Sequence, residues 1–246
     1  MSFKDHFSGL ASAYARYRPT YPPELAAYLA AASPSRSLAL DLATGNGQAA
    51  VDLAEHFDQV LASDPSARQL AEAIAHPRVF YLQHPAERLP IRSGCADLLA
   101  VAQAAHWFDF DRFYPEARRV LRPGGVVALW TYGLFHIDTE TDAAIEHFYH
   151  DVVGPYWPPE RRYVEARYRT LPFPLVESPA PSFEINLEWS LADVISYLGT
   201  WSAVDRYRSM RGEDPLPQII GILSALWPGG AVKRVHWPVY LRTGSF

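Results

Sequence analysis

Apolar and polar positions fall into two alternating rhythms over residues 38–135. Short, nearly continuous apolar runs recur as LALDLA from Leu38, QVLASD from Gln59, RVFYLQ from Arg78, CADLLAVAQ from Cys95 and VVALWTY from Val126. Runs this short and this apolar read as strands buried on both faces. Between them, NGQAAVDLAEHF, the stretch from Pro65-Ser66 to AEAIAH, and FDRFYPEARRVL read as helices, the last ended by Arg122-Pro123-Gly124-Gly125. Strand and helix alternating in this way predict a parallel sheet with helices on both faces. Beyond residue 136 the rhythm breaks. DTETDAAIEHFYHDVV is helical, residues 154–181 are rich in proline and aromatics, and SFEINLEWS alternates with period two. LADVISYLGTWSAVDRYRSM predicts one or two helices, LPQIIGILSALW another, and AVKRVHWPVYLRT a last strand. A strand pair arriving after five parallel strands predicts an antiparallel edge on a mixed α/β sheet.

Composition narrows the classes. With 246 residues, 49% of them hydrophobic and 20% charged, the chain has the material for one sizeable core. A net charge of −5 argues against general nucleic-acid or membrane-surface binding. Cys95 is the one cysteine, so neither a disulfide framework nor a cysteine metal cluster can form, and a reducing cytoplasm is expected. The N-terminal sequence shows no signal-peptide pattern, and no apolar run approaches the roughly 18 residues of a membrane span. The tryptophans all lie beyond residue 106, which makes the second half the place for an aromatic-walled pocket.

The richest stretch is Asp41 to Ala50, where an apolar strand ends in an acid, turns on Gly45 and Gly47 and re-emerges as a helix. Such turns let the backbone approach a nucleotide-like ligand. Gly45-Asn46-Gly47-Gln48-Ala49-Ala50 satisfies the dinucleotide pattern G-x-G-x-x-A. Asp41 points elsewhere, because a carboxylate repels a pyrophosphate and attracts a cation. Asp64 ends the second strand, where an acid accepts hydrogen bonds from ribose hydroxyls. Two acids and no base around the loop suit a sulfonium nucleoside, S-adenosylmethionine, better than a dinucleotide.

The segments FSGLASAYARYRPTYP, LDLATGNGQ, ASDPS, PAERLPIRSGCADLLAVAQAAHWFD and RRVLRPGGVVALWTY, in that register, resemble the class I S-adenosylmethionine-dependent methyltransferases of the type 11 group, and within it the trans-aconitate-type small-molecule enzymes. The resemblance spans roughly residues 3–132. It implies a Rossmann-like, doubly wound, seven-stranded mixed sheet with an antiparallel edge strand and a small cap. Residues 1–37 would form an N-terminal helical lid over the cofactor, 38–135 and 182–246 the core, and 136–181 an inserted cap. It also implies roles. Asp41, Gly45 and Gly47 would wrap the methionine part, Asp64 the ribose, Tyr14 and Arg18 the methionine carboxylate, and Ala86 and Glu87 the adenine. Gln103 would border the transferred methyl. Many relatives carry Gly-Asp before Ala-Glu; here the residues are His84 and Pro85, which leaves adenine to the backbone, His84 or Glu87.

On the substrate side, His106 and Trp107 follow the fourth strand, at the sheet edge where open α/β folds bind ligands. His106 is a candidate general base or a wall of the pocket. Arg161 and Arg162, with Arg167 and Arg169, crowd the cap and suit an anionic substrate or a solvated helix face. Tyr156, Trp157, Tyr163 and Tyr168 line that cap or dock it, and Trp201 would lie near the acceptor pocket by resemblance or pack the apolar face of its helix. His136, Glu146, His147 and His150 lack metal-ligand spacing, and no metal is expected. The expected activity is methyl transfer from S-adenosylmethionine to a carboxylate or hydroxyl of a small molecule, by a monomer or homodimer. A non-catalytic S-adenosylmethionine-binding module and, behind it, an NAD-dependent dehydrogenase are the other readings.

Overall fold

The computed structural model describes residues 19–246. Tyr14 and Arg18 lie outside that range. Five parallel strands, β1 (Leu38–Leu42), β2 (Gln59–Asp64), β3 (Val79–Gln83), β4 (Ala96–Ala102) and β5 (Leu121–Tyr132), fall where the apolar runs predict. They are ordered β3-β2-β1-β4-β5. The long last strand, β8 (Lys233–Ser245), runs antiparallel to β5 from Val127↔Gly244 to Tyr132↔Val239. The seventh position is shared along β8 by β7 (Phe183–Trp189) and the three-residue β6 (Val176–Ser178). The result is a seven-wide, mostly parallel α/β sheet with an antiparallel edge.

Alternate side chains of each strand feed two cores, one per face. Ala39, Val60, Leu98 and Ala128 face one; Leu40, Leu99, Val127 and Leu129 face the other. The first core is covered by α1 (Pro23–Ala32) and α2 (Gln48–Ala54), and by helices after residue 136. The second is covered by α4 (Phe110–Val120), with the brief α3 (Ala67–Ala71) lying beside β2 and β3. Residues 23–32, expected within a lid, are instead a core layer. Leu25 and Leu29 are buried, and Tyr28 donates to the Pro179 carbonyl at 2.9 Å.

Three local departures from the sequence pattern have plain causes. The Arg122-Gly125 stretch, read as a helix stop, already belongs to β5. Between the pairs Ala96↔Leu121 and Leu98↔Val126 the β5 side carries extra residues, and Gly124 supplies the positive φ of 76° that this bulge requires. β6 escaped notice because its three residues are exposed and carry no apolar period. Residues 138–153 are helical as expected, but α5 (Thr139–His147) passes into a π-helical turn over Phe148–Val152, which sinks Phe148 and Tyr149 into the core.

The segment 136–181 contributes to both cores. Ile145, Phe148, Tyr149 and Val153 join one, and Val164, Tyr168 and Leu171 join the other. Its short helix α6 (Arg161–Glu165) sits beside the turn after β4. Three more helices follow β7: α7 (Leu191–Gly199), α8 (Ser202–Arg211) and α9 (Leu216–Leu226).

Candidate active site

The strand order reverses between β1 and β4: β1 continues to β2 on one side and β4 to β5 on the other. Their carboxyl ends therefore open a crevice, the usual ligand site of such sheets. Backbone strain concentrates there. Ala43 (φ 54°) follows β1 directly, and Gln103 (φ 56°) follows β4. Arg167 and Tyr168 (φ 57° and 60°) complete the set of left-handed non-glycine residues among those described. Each such residue costs about 1–3 kcal/mol and persists only where the surroundings hold it.

On the β1 side, Asp41 is completely buried. The Thr44 hydroxyl donates to its Oδ2, while its Oδ1 has no partner among the described residues. Burial chiefly, against the Thr44 hydrogen bond and with help from the charge of Asp64, pushes its pKa up to about 7. Asp64 accepts from the Gly45 amide at 2.9 Å and the Ser66 amide at 2.8 Å, so it braces the glycine turn from the next strand. Gly47 begins α2 with φ 89°, and a Cβ there would lie 2.1 Å from the Tyr81 hydroxyl. Only glycine lets Tyr81 cross this close while donating to the Ile74 carbonyl at 2.7 Å.

Further along the crevice, Ala86 is buried, but Glu87 turns away to accept from the Asp109 amide at 3.1 Å at the start of α4. That bond satisfies an otherwise orphaned helix donor. His84 keeps a buried Nδ1 without a partner among the described residues. Of the adenine-side candidates, His84 has the open hydrogen-bonding capacity and Glu87 is committed elsewhere.

Next to β4 the structure gathers Gln103, His106, Trp107, Arg161 and Trp201 around one pocket. Gln103 is fixed from β5: its Nε2 donates to the Tyr132 carbonyl at 3.2 Å, and its Oε1 accepts from the Thr131 hydroxyl. His106 is buried against Trp107, ring centroids 4.8 Å apart, with Nδ1 2.8 Å from the Tyr168 hydroxyl. Burial first, and then the charge of Arg161, lowers its pKa to about 3. Arg161 lies over the Trp157 ring at 4.6 Å and donates Nε to the Tyr149 hydroxyl at 2.7 Å. Arg162 is not in the pocket; it is exposed and stacks on its neighbour Tyr163. Tyr132 and Tyr197 also line the pocket. Sequence reasoning missed both, because an aromatic inside a regular strand or helix looks like any other core residue. His136 and His147 each pair with a carboxylate, Asp142 and Asp151. No group of three or more metal-ligating side chains exists among the described residues.

A family model described as a methyltransferase domain matches residues 40–129. A protein named as a methyltransferase from Dictyostelium discoideum is 34% identical over 247 residues, covering 97% of this chain and 94% of its own. The chain belongs to the methyltransferase family. A solved structure of a type II methyltransferase from Anaeromyxobacter dehalogenans is 46% identical, with a TM-score of 0.87 over 93% of this chain and 98% of that one. An N-methyltransferase of Haemonchus contortus, solved with S-adenosylhomocysteine, shares the fold at 17% identity and a TM-score of 0.50, covering all of this chain and 61% of that one. The methyltransferase uses S-adenosylmethionine as its cofactor, and the residues in place fit that group. A buried carboxylate with an unpartnered oxygen suits a cation, and a glycine turn braced by a second acid suits a nucleoside. No helix among the described residues is long and apolar enough to cross a membrane.

Proposed function

We propose that the methyltransferase methylates a carboxylate oxygen of a small molecule bound beside β4. The observation that carries this reading is Arg161. Its guanidinium lines the pocket and stacks on Trp157, with no acid in ion-pair distance among the described residues. In a chain of net charge −5, a pocket cation without an acidic partner is matched to an anionic ligand, which guanidinium binds through two parallel hydrogen bonds. The aromatic walls Trp107, Tyr132, Trp157, Tyr197 and Trp201 bind the rest of the molecule and keep water away.

Bound S-adenosylmethionine supplies an electrophilic methyl group. Asp41, Gly45, Gly47 and Asp64 are the residues to hold it, with Ala86 and His84 at the adenine side. An ionised carboxylate needs no proton removed, so the chain's task is orientation and the exclusion of water. His106 fits that task as a wall and hydrogen-bonding group. An imidazole with a pKa near 3 is a poor base at neutral pH. The cap in this reading is residues 136–181 together with the Trp201 end of α7 and α8.

The test is S-adenosylhomocysteine formation with a panel of carboxylic acids, each beside its matched alcohol and amine. Turnover confined to acids, giving a base-labile ester, is the expected result, with Arg161→Gln raising the acceptor KM. Turnover of alcohols or amines with the acids inert would refute it. S-adenosylhomocysteine binding without turnover of anything would favour a non-catalytic binding module.

A further inference from the structure

Arg161 and Glu165 stand four residues apart on α6, a spacing at which an arginine and a glutamate ordinarily pair directly. Here they do not. The Tyr149 hydroxyl lies between them, 2.7 Å from Arg161 Nε and 3.0 Å from Glu165 Oε1. Chemistry fixes the direction of both bonds. A guanidinium only donates, so the phenol oxygen accepts from Arg161. A carboxylate only accepts, so the phenol's one hydrogen goes to Glu165.

Tyr149 is delivered from another element. It sits in the π-helical turn after α5, where the Val153 amide reaches back five residues to the Phe148 carbonyl at 3.0 Å. The wider turn lets two consecutive side chains, Phe148 and Tyr149, both point inward, and both are buried. The same tyrosine fixes a wall of the pocket. Its carbonyl accepts from Trp157 Nε1 at 3.3 Å, and its ring packs on those of Trp157 and Trp201, centroids 4.9 and 5.6 Å away.

With Nε occupied, the guanidinium keeps one edge on which two parallel hydrogen bonds can form, that of Nη1 and Nη2. Neither nitrogen has a partner among the described residues. We propose that Tyr149 is a positioning residue: it holds Arg161 by Nε and stands between it and Glu165, so that the Nη edge stays open to the pocket. The proposal deepens the carboxylate reading and rests on it for the ligand, whose two coplanar oxygens meet this edge end-on. Without the phenol, Glu165 is itself a carboxylate within reach of Arg161, and it competes with that ligand.

The state of Arg161 is measured in the free protein, so a failed acceptor screen leaves the result standing. In a proton–nitrogen NMR spectrum, the Arg161 Nε–H is assigned by its loss in Arg161→Lys. It is expected to exchange with water more slowly than the Nε–H of the exposed Arg169. The Nη edge is probed with 2,3-butanedione, which closes a ring across the two Nη nitrogens, followed by peptide mapping. Relative to Arg169, Arg161 is expected to react about two- to fivefold more slowly in Tyr149→Phe than in the wild type, the shift an ion pair with Glu165 brings. Tyr149→Phe/Glu165→Gln should recover the wild-type rate, which a mere loss of packing would not allow. Glu165→Gln alone should match the wild type, since a glutamine oxygen still accepts from the phenol. An Arg161 Nε–H that exchanges as fast as that of Arg169 overturns the proposal. So does an unchanged rate in Tyr149→Phe, or a double variant as slow as the single one. Should Tyr149→Phe not fold, the wild-type exchange alone decides.

Discussion

At the residue scale, Asp41 and His106 lie close to the crevice with opposite electrostatic histories. Burial holds a proton on Asp41 up to about pH 7 in the free protein. A cationic ligand favours its ionised form, so the bound-state pKa is lower and binding releases a proton. Affinity for S-adenosylhomocysteine, which keeps an ammonium group, should therefore rise with pH and level off above about 7. Below that point it falls up to about tenfold per pH unit. Isothermal titration across pH 5.5–8.5 checks this, and Asp41→Asn should be weak and nearly flat. The sign reverses for stability. A group that holds its proton more tightly when folded stabilises at low pH, and that contribution fades as pH climbs from about 4 to 7. Asp41→Asn should accordingly unfold at a higher temperature than the wild type at pH 8 while binding less cofactor. For His106, donor and base roles separate by substitution. Gln places an N–H near the position of Nε2, so His106→Gln should keep most of the turnover that His106→Ala loses. Equal losses, about 10²-fold, would restore the base role. The sequence placed Asp41, Asp64 and the glycines at strand ends and turns, where acids and glycines serve packing least, and the structure sets them at the crevice; it also brings His106, Trp107, Arg161 and Trp201 to one pocket. Tyr168 was legible only as a cap aromatic; its contact with His106 depends on a left-handed turn that no periodicity reveals.

At the element scale, the strands were the legible part, since β1, β2, β4 and the apolar half of β5 are continuous apolar runs. Two features between elements decide how well they hold. Gly47 joins β1 to α2, and its replacement by alanine adds the strain of a positive φ to a clash with Tyr81. Gly47→Ala should destabilise by at least the roughly 1–3 kcal/mol of such strain and weaken cofactor binding. A cofactor affinity equal to the wild type would show that the turn does not shape the site. Asp97, at the start of β4, ties three elements together. Its Oδ2 accepts from the Ser37 and Leu38 amides, both at 2.9 Å, and its Oδ1 pairs with Arg122 of β5 at 2.9 Å. Asp97→Ala strands a partly buried guanidinium and two amides and should cost about 3 kcal/mol in denaturant unfolding. Cofactor affinity should hold, because Asp97 sits at the end of the sheet opposite the crevice. What was not legible at this scale is the exposed β6, the bulge at Gly124 and the packing of α1. Each depends on which strand or helix lies next door rather than on its own pattern.

At the scale of the whole molecule, the proposed cofactor side and acceptor side are built from different parts of the chain yet share one sheet. The ends of β1 and β2 and the loops after β1 and β3 carry the residues proposed for S-adenosylmethionine, while residues 136–211 bring Trp157, Arg161, Tyr197 and Trp201 to the end of β4. Because the insert buries Ile145 and Phe148 on one face and Val164, Tyr168 and Leu171 on the other, it cannot detach without opening both cores. The molecule is therefore expected to unfold in a single transition, and a ligand of the cofactor side should stabilise the acceptor side equally. S-adenosylhomocysteine at about 100 times its dissociation constant adds about 2.7 kcal/mol. For a chain this long that is a rise of roughly 5–10 °C. NAD should give none, because the Asp41 carboxylate stands where a pyrophosphate would need a donor. Calorimetry with each ligand reads both points together. One peak moved by S-adenosylhomocysteine alone fits the architecture. Two peaks, of which the ligand moves one, would mean that the acceptor helices fold apart from the sheet, and the pocket at β4 would then be a contact made on closing rather than a built site.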